Sequence, residues 1–168
     1  MTEHAQDPAA VLDALERALA HWHETEGFAQ AVAETVARHG YARADVESQL
    51  RHVLLRTRGR TMRLVLEEEV GSIGPFPTAP ERVLVLASGR VPGLAIEGVV
   101  AALAVGAVAV VRPSRDETVL HHLLGSLAAT EPSLLERVEV VGAGDELPWE
   151  RVDGAIVFGS DETIALVR

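Results

Sequence analysis

The stretch Arg82 to Arg115 constrains the fold more than any other. Val83-Leu84-Val85-Leu86 is a short apolar run, and Ala87-Ser88-Gly89-Arg90-Val91-Pro92-Gly93 is a tight, glycine-bearing turn. Leu94 to Val105 is small and apolar almost throughout. Ala107 to Val111 is a second run, rich in β-branched residues, and it ends in Arg112-Pro113-Ser114-Arg115. Two short apolar runs joined by a helical crossover make a βαβ unit. Strands buried on both faces read as continuous Val and Leu rather than as an alternation. Ligands of such sheets bind beyond the carboxyl ends of the strands. The places to look are therefore 87–93 and 112–116.

The rest of the chain extends this unit in both directions. Asp7-Pro8 reads as a helix start, an Asp cap with Pro at the first helical position. Val11, Leu12, Leu15, Leu19 and Trp22 follow at three- and four-residue spacing, which gives one apolar face. Gly27 is an expected interruption, after which Phe28, Val32 and Val36 continue the pattern as far as Gly40. A second helix is expected from about Asp45 to Thr57, broken by Arg58-Gly59-Arg60. A third is expected from Thr61 to Val70, although Leu64-Val65-Leu66 also suits a strand. Gly71 to Pro80 carries three prolines and two glycines, so no helix crosses it. The predicted organisation is a helical segment over 1–70, a Gly/Pro-rich linker over 71–80 and an α/β domain over 81–168. In that domain strands are expected at 82–87, 107–112, 137–142 and 154–158, with helices at 93–105 and 116–130, the latter capped by Ser114 or Asp116. Right-handed crossovers make the sheet parallel. The fold class is α/β, a three-layer Rossmann-like parallel sheet preceded by helices.

Composition excludes several chemistries. The 168 residues contain no Cys, so there is no disulfide, thiolate metal site or thiol nucleophile among them. There is no Lys, hence no P-loop lysine and no Schiff base. The net charge of −10 argues against nucleic acid, whose binding needs a basic patch. No apolar run reaches the roughly 18–20 residues of a membrane span, and the basic-then-apolar start of a secretion signal is missing. The reading is a cytoplasmic protein. His21 and His23, two apart on a helix, point to different faces and make a poor metal pair. His121-His122 lies in a predicted helix, where adjacent residues diverge by about 100°, so at most one is expected to face any site and neither to be catalytic. Glu67-Glu68-Glu69 reads as a solvated helix end. No metal site is expected.

The chemistry left open is nucleotide binding. In dinucleotide folds an acid after the second strand holds the adenosine ribose, whereas Arg accommodates a 2′-phosphate. Here Arg112, Ser114 and Arg115 follow that strand and the first acid is Asp116, which favours NADP(H) over NAD(H). The alternative is that Arg112 is a surface residue and Asp116-Glu117 cap a helix. No G-x-G-x-x-G follows the first strand. Gly154 to Phe158 is a strand running into Gly159-Ser160 and a new helix start, which suits a phosphate at a helix N-terminus. That helix has only about two turns before Arg168, so the chain reads as a fragment or an early-terminated product. Gly142-Ala143-Gly144 fits a cofactor groove and a plain turn equally well.

Residues 82–168 resemble the nucleotide-binding domain of the LuxC-type acyl-CoA reductases of the aldehyde dehydrogenase superfamily. Ala87 to Gly93 is similar to the family's "AGNvPg" turn. Ala102-Leu103 through Gly106, followed by Val110-Val111-Arg112-Pro113-Ser114, is similar to "aLl.G…vvKPS". Phe158-Gly159-Ser160-Asp161-Glu162-Thr163-Ile164 is similar to "yGsdetI". Residues 1–70 resemble the family's N-terminal region only in character. The resemblance implies NADPH-dependent reduction of a fatty acyl-CoA or other acyl thioester to an aldehyde, through a cysteine that is acylated and then attacked by hydride. It implies that Arg112 and Ser114 hold the adenosine ribose and its 2′-phosphate and that Gly159 and Ser160 hold the pyrophosphate. It puts Arg90 in the place of the asparagine that stabilises the thioester oxyanion. Arg112 stands where the family has lysine, and the family's cysteine lies downstream of the matching region. The expectation is the cofactor-binding part of an acyl-CoA reductase, inactive by itself. The alternative is a non-catalytic nucleotide-binding or assembly module, self-associating through an open sheet edge. A third reading is a small α/β domain without a cofactor.

Overall fold

The computed structural model describes residues 7–73, 76, 79–87, 89–142, 144–159 and 164. Helix α1, Pro8–Leu19, starts as its sequence dictates: Asp7 Oδ1 accepts from the Ala9 N–H at 3.0 Å, and Pro8 occupies the first helical position. Helix α2, Glu26–His39, is capped by the Thr25 hydroxyl and closed by Gly40 at φ 71°. The interruption before it spans Ala20 to Thr25, with one 3₁₀ turn at Trp22–Glu24, and Gly27 sits inside α2. Gly27 is there for closeness rather than for breaking: a Cβ would lie 2.6 Å from Ser126 Oγ. Helix α3 is Arg43–Thr57 and α4 is Gly59–Glu69. The break expected at Arg58-Gly59-Arg60 falls at Arg58, whose extended backbone ends α3, and Gly59 opens α4. A Cβ on it would fall 1.7 Å from the Leu12 carbonyl oxygen, so its absence lets α4 cross α1 backbone to backbone. Leu64-Val65-Leu66 is helical, with Leu66 buried and the other two exposed. Glu67, Glu68 and Glu69 are exposed, as expected of a solvated helix end.

Strands β1, Arg82–Ala87, β2, Val108–Pro113, β3, Val138–Val140, and β4, Gly154–Val157, form one parallel sheet in the order β3-β2-β1-β4. The architecture is α/β and Rossmann-like. Helix α5, Leu94–Ala104, crosses from β1 to β2, and α6, Leu120–Thr130, with the short α7, Pro132–Leu135, crosses from β2 to β3. Strand alternation divides the sheet. Val83, Val85, Ala87, Ala109 and Val111 face the helices in one continuous core. Leu84 and Val110, paired in register, point to the opposite face and are also fully buried. The central strands are thus covered on both sides, which is why they read as unbroken Val/Leu runs.

Helices α1, α3 and α4 pack on α5, and α2 packs on α6. Leu12, Leu50, Val53 and Trp22 from the helical segment share a core with Ile96, Leu103 and Leu127 from the crossover helices. Trp22 meets Phe28 edge-on at 5.4 Å and donates its indole N–H to Ser126 Oγ at 3.0 Å. Thr35 on α2 and Thr118 before α6 bond hydroxyl to hydroxyl at 2.6 Å, both buried. Two elements are shorter than the sequence reading by three residues or more. β3 is three residues rather than six. α6 begins at Leu120, because Glu117 turns back to cap it: its carboxylate accepts from the Val119 and Leu120 N–H groups at 2.9 and 3.0 Å. Ser114 and Asp116 instead close a turn on each other, the Ser114 hydroxyl accepting from the Asp116 N–H at 3.3 Å. The helix expected after Gly159 falls on residues outside those described, apart from Ile164. No helix among the described residues is long and apolar enough to cross a membrane.

Candidate functional site

In a parallel sheet every strand delivers its carboxyl end to the same edge. Three of the turns singled out in the sequence meet there around β1. The Ser114 N–H donates to the Ala87 carbonyl at 3.1 Å, tying the turn after β2 to the end of β1. On the other side, the Phe158 N–H donates to the Leu86 carbonyl at 2.8 Å, bringing Gly159 to the same edge. Gly89 explains how closely the first two turns fit. A Cβ there would lie 2.4 Å from Ser114 Oγ, 2.5 Å from the Asp116 carbonyl carbon and 2.6 Å from the Glu117 nitrogen. Only a residue without a side chain lets the turns close on one another. Gly93, at φ 81°, then starts α5, and a Cβ on it would crowd Leu50 on α3 at 2.9 Å.

The candidate residues distribute over this edge as follows. Arg112 is half-buried on β2 and pairs in register with Leu86, which pairs in turn with Val157. By strand alternation these three share the sheet face turned away from the main helical core. Arg112 and Val157 flank Leu86, so they stand roughly 10 Å apart, two strand spacings. Ser114 accepts from the backbone and keeps its O–H as a donor. Arg115 is exposed, and its carbonyl accepts from Arg38 Nη1 at 3.3 Å. Arg90 is exposed in the turn after β1. Gly159 is exposed just past β4, and Ser160 lies outside the described residues. Two arginines and a serine thus follow β2 at this edge, residue types able to donate hydrogen bonds to an anion. Gly142 forms a closed turn, its N–H donating to Asp145 Oδ2 at 2.9 Å.

Three further residues, not singled out in the sequence, hold this edge from the end of α2. Arg38 reaches the Arg115 carbonyl, the His39 ring contacts the Asp116 carbonyl at 2.9 Å, and the Tyr41 hydroxyl donates to the Arg90 carbonyl at 3.0 Å. His39 and Tyr41 stack at 5.3 Å with their planes 9° apart. The available signal was Gly40, whose left-handed backbone turns the chain so that Tyr41 doubles back beside His39. Glu117 caps α6, as the alternative reading of Asp116-Glu117 as helix-cap acids has it. Burial holds its carboxyl above the ordinary carboxylate range, an effect partly offset by the N–H groups it caps.

The sequence model of the family described as acyl-CoA reductase (LuxC) matches residues 4–168, which includes the helical segment as well as the sheet. No curated protein matches the chain.

Proposed function

Because the chain belongs to the acyl-CoA reductase (LuxC) family, we propose that it carries the NADPH-binding part of an enzyme that reduces a fatty acyl thioester to an aldehyde. The family implies a nicotinamide cofactor and an acyl thioester substrate. The observation that supports the finer reading is the edge where Arg112, Ser114 and Arg115 follow β2 while Gly159 follows β4, with β1 between them. In this reading Arg112, with Ser114 and Arg115, binds the adenosine ribose and its 2′-phosphate. Arginine suits that phosphate because its planar fork donates two parallel hydrogen bonds. Gly159 and Ser160 take the pyrophosphate, where a missing Cβ permits close approach.

Arg90 occupies the oxyanion position. A guanidinium there would stabilise charge developing on the thioester oxygen, and Tyr41 fixes the backbone that carries it. When bound, the reduced nicotinamide supplies the hydride. The thiolate that such chemistry acylates is not among these 168 residues, which contain no cysteine. A second reading is a nucleotide-binding or assembly module derived from the same fold.

The test is Arg112→Ala, titrated calorimetrically with NADPH and with NADH. Loss of a charge-assisted hydrogen bond, about 1.5–3 kcal/mol, weakens NADPH binding about 10- to 150-fold. NADH binding changes much less. Equal losses for the two cofactors would remove the 2′-phosphate assignment.

A further inference from the structure

We propose that Glu34, His121 and His122 form a binding site for a divalent transition-metal cation, zinc being the best match, that staples α2 to α6. Adjacent helical residues were expected to diverge, yet the two imidazoles converge. Their ring centroids are 3.9 Å apart with planes tilted by 38°. Both present Nε2 to the same carboxylate oxygen: Glu34 Oε2 lies 3.0 Å from His122 Nε2 and 3.4 Å from His121 Nε2. One ligand atom from each residue falls within 4.8 Å of the other two. In a tetrahedral zinc site with bonds near 2.0–2.1 Å, neighbouring ligand atoms stand about 3.3 Å apart. The two Glu34 distances bracket that edge length. Two imidazoles and a carboxylate are also the donor types that suit zinc and its neighbours in the first transition row rather than magnesium or calcium.

The surroundings supply charge for such an ion. His121 and His122 occupy the first turn of α6, whose dipole disfavours a cation. Glu117 and Glu34 bring two carboxylates to that end, which oppose the dipole. Arg38 pairs with the other Glu34 oxygen, Oε1, at 3.7 Å, which leaves Oε2 turned toward the imidazoles. His121 is exposed and His122 half-buried, so an ion reaches the site from solvent and retains an open coordination position. Glu34 lies on α2 and the histidines on α6, 87 and 88 residues along the chain. A bound ion would therefore fasten the helical segment to the α/β unit, next to the turn that Arg38 and His39 hold.

The experiment is calorimetric titration of the chelator-stripped, purified chain with zinc chloride, alongside thermal melts with and without zinc. Wild type binds one equivalent and melts higher with zinc, since a ligand of the folded state alone stabilises it. Glu34→Gln and the double variant His121→Ala/His122→Ala each bind at least about tenfold more weakly and lose the zinc-dependent rise. The pair His21→Ala/His23→Ala, outside the site, behaves as wild type. Magnesium chloride gives no binding. No stoichiometric zinc uptake by wild type would overturn the proposal, leaving two ordinary imidazole–carboxylate contacts. Undiminished uptake by Glu34→Gln together with the double His variant would overturn it as well, because the ion would then be held elsewhere. Should the double variant fail to fold, Glu34→Gln decides.

Discussion

Gly89→Ala should separate the two turns on which the candidate site is built. The added Cβ meets three atoms at once, at 2.4 to 2.6 Å. One is the movable Ser114 hydroxyl, but the other two are backbone atoms of Asp116 and Glu117. Rotating a side chain cannot relieve the clash, so the whole turn must shift, and the buried Glu117 cap of α6 shifts with it. Overpacking of this kind costs about 1–3 kcal/mol, and a backbone clash belongs at the upper end. For a chain of this size about 3 kcal/mol lowers the melting temperature by roughly 6–12 °C. Ser114→Ala, which removes only the hydroxyl, should not rescue Gly89→Ala. Gly125→Ala is the control. Its Cβ meets nothing within 4 Å in the exposed part of α6, so it should stabilise the fold by about 0.4–1 kcal/mol. Thermal melts of the three variants, with cofactor titration of each folded one, make the measurement. A Gly89→Ala chain as stable as wild type, or one restored by Ser114→Ala, would show that the turns are not packed as described.

Further predictions concern the ties between the helical segment and the sheet. Thr35 donates to the Ala31 carbonyl at 2.7 Å, so Thr118 is the donor to Thr35. Thr35→Val then strands a buried hydroxyl on Thr118 and should cost about 1–3 kcal/mol. Thr118→Val should cost less, and the double variant, read by chemical denaturation, should be milder than the sum of the two. The Glu117 carboxyl, raised by burial, binds a proton more readily in the folded than in the unfolded chain. Its contribution is fully present below its unfolded pKa and is lost as pH rises through the folded one. Subtracting the stability–pH curve of Glu117→Gln from that of wild type should expose this, and a flat difference would refute it. Glu131 and Glu139 titrate in the opposite sense. The neighbouring guanidinium groups of Arg17 and Arg82 hold them low, so their contribution fades as pH falls through those lowered values.

The sheet was legible because its signals are local. β1 and β2 are continuous apolar runs bounded by Gly and Pro, and Asp7-Pro8 states its own cap. What escaped was set by contact between distant segments. The close approaches at Gly27 and Gly59 were not read, since sequence alone cannot tell a glycine chosen for φ from one chosen for close approach. The cap of α6 was legible in part: of the acids read as cap candidates, Glu117 is the one whose carboxylate folds back onto the N–H groups of Val119 and Leu120. The position of Arg112, Ser114 and Arg115 at the carboxyl end of β2 was legible, because the strand before them is a local signal. The support that Arg38, His39 and Tyr41 give to this edge was not, for it depends on α2 ending beside a turn about 75 residues downstream. The convergence of His121 and His122 was hidden in the same way, since Glu34 supplies the point on which they meet.

Calorimetric titration of the purified chain with NADPH and then with NADH tests the central claim most directly. The account predicts that NADPH binds and that it binds more tightly than NADH. Binding of neither cofactor, or equal binding of both, would contradict the assignment of this edge to a 2′-phosphorylated dinucleotide.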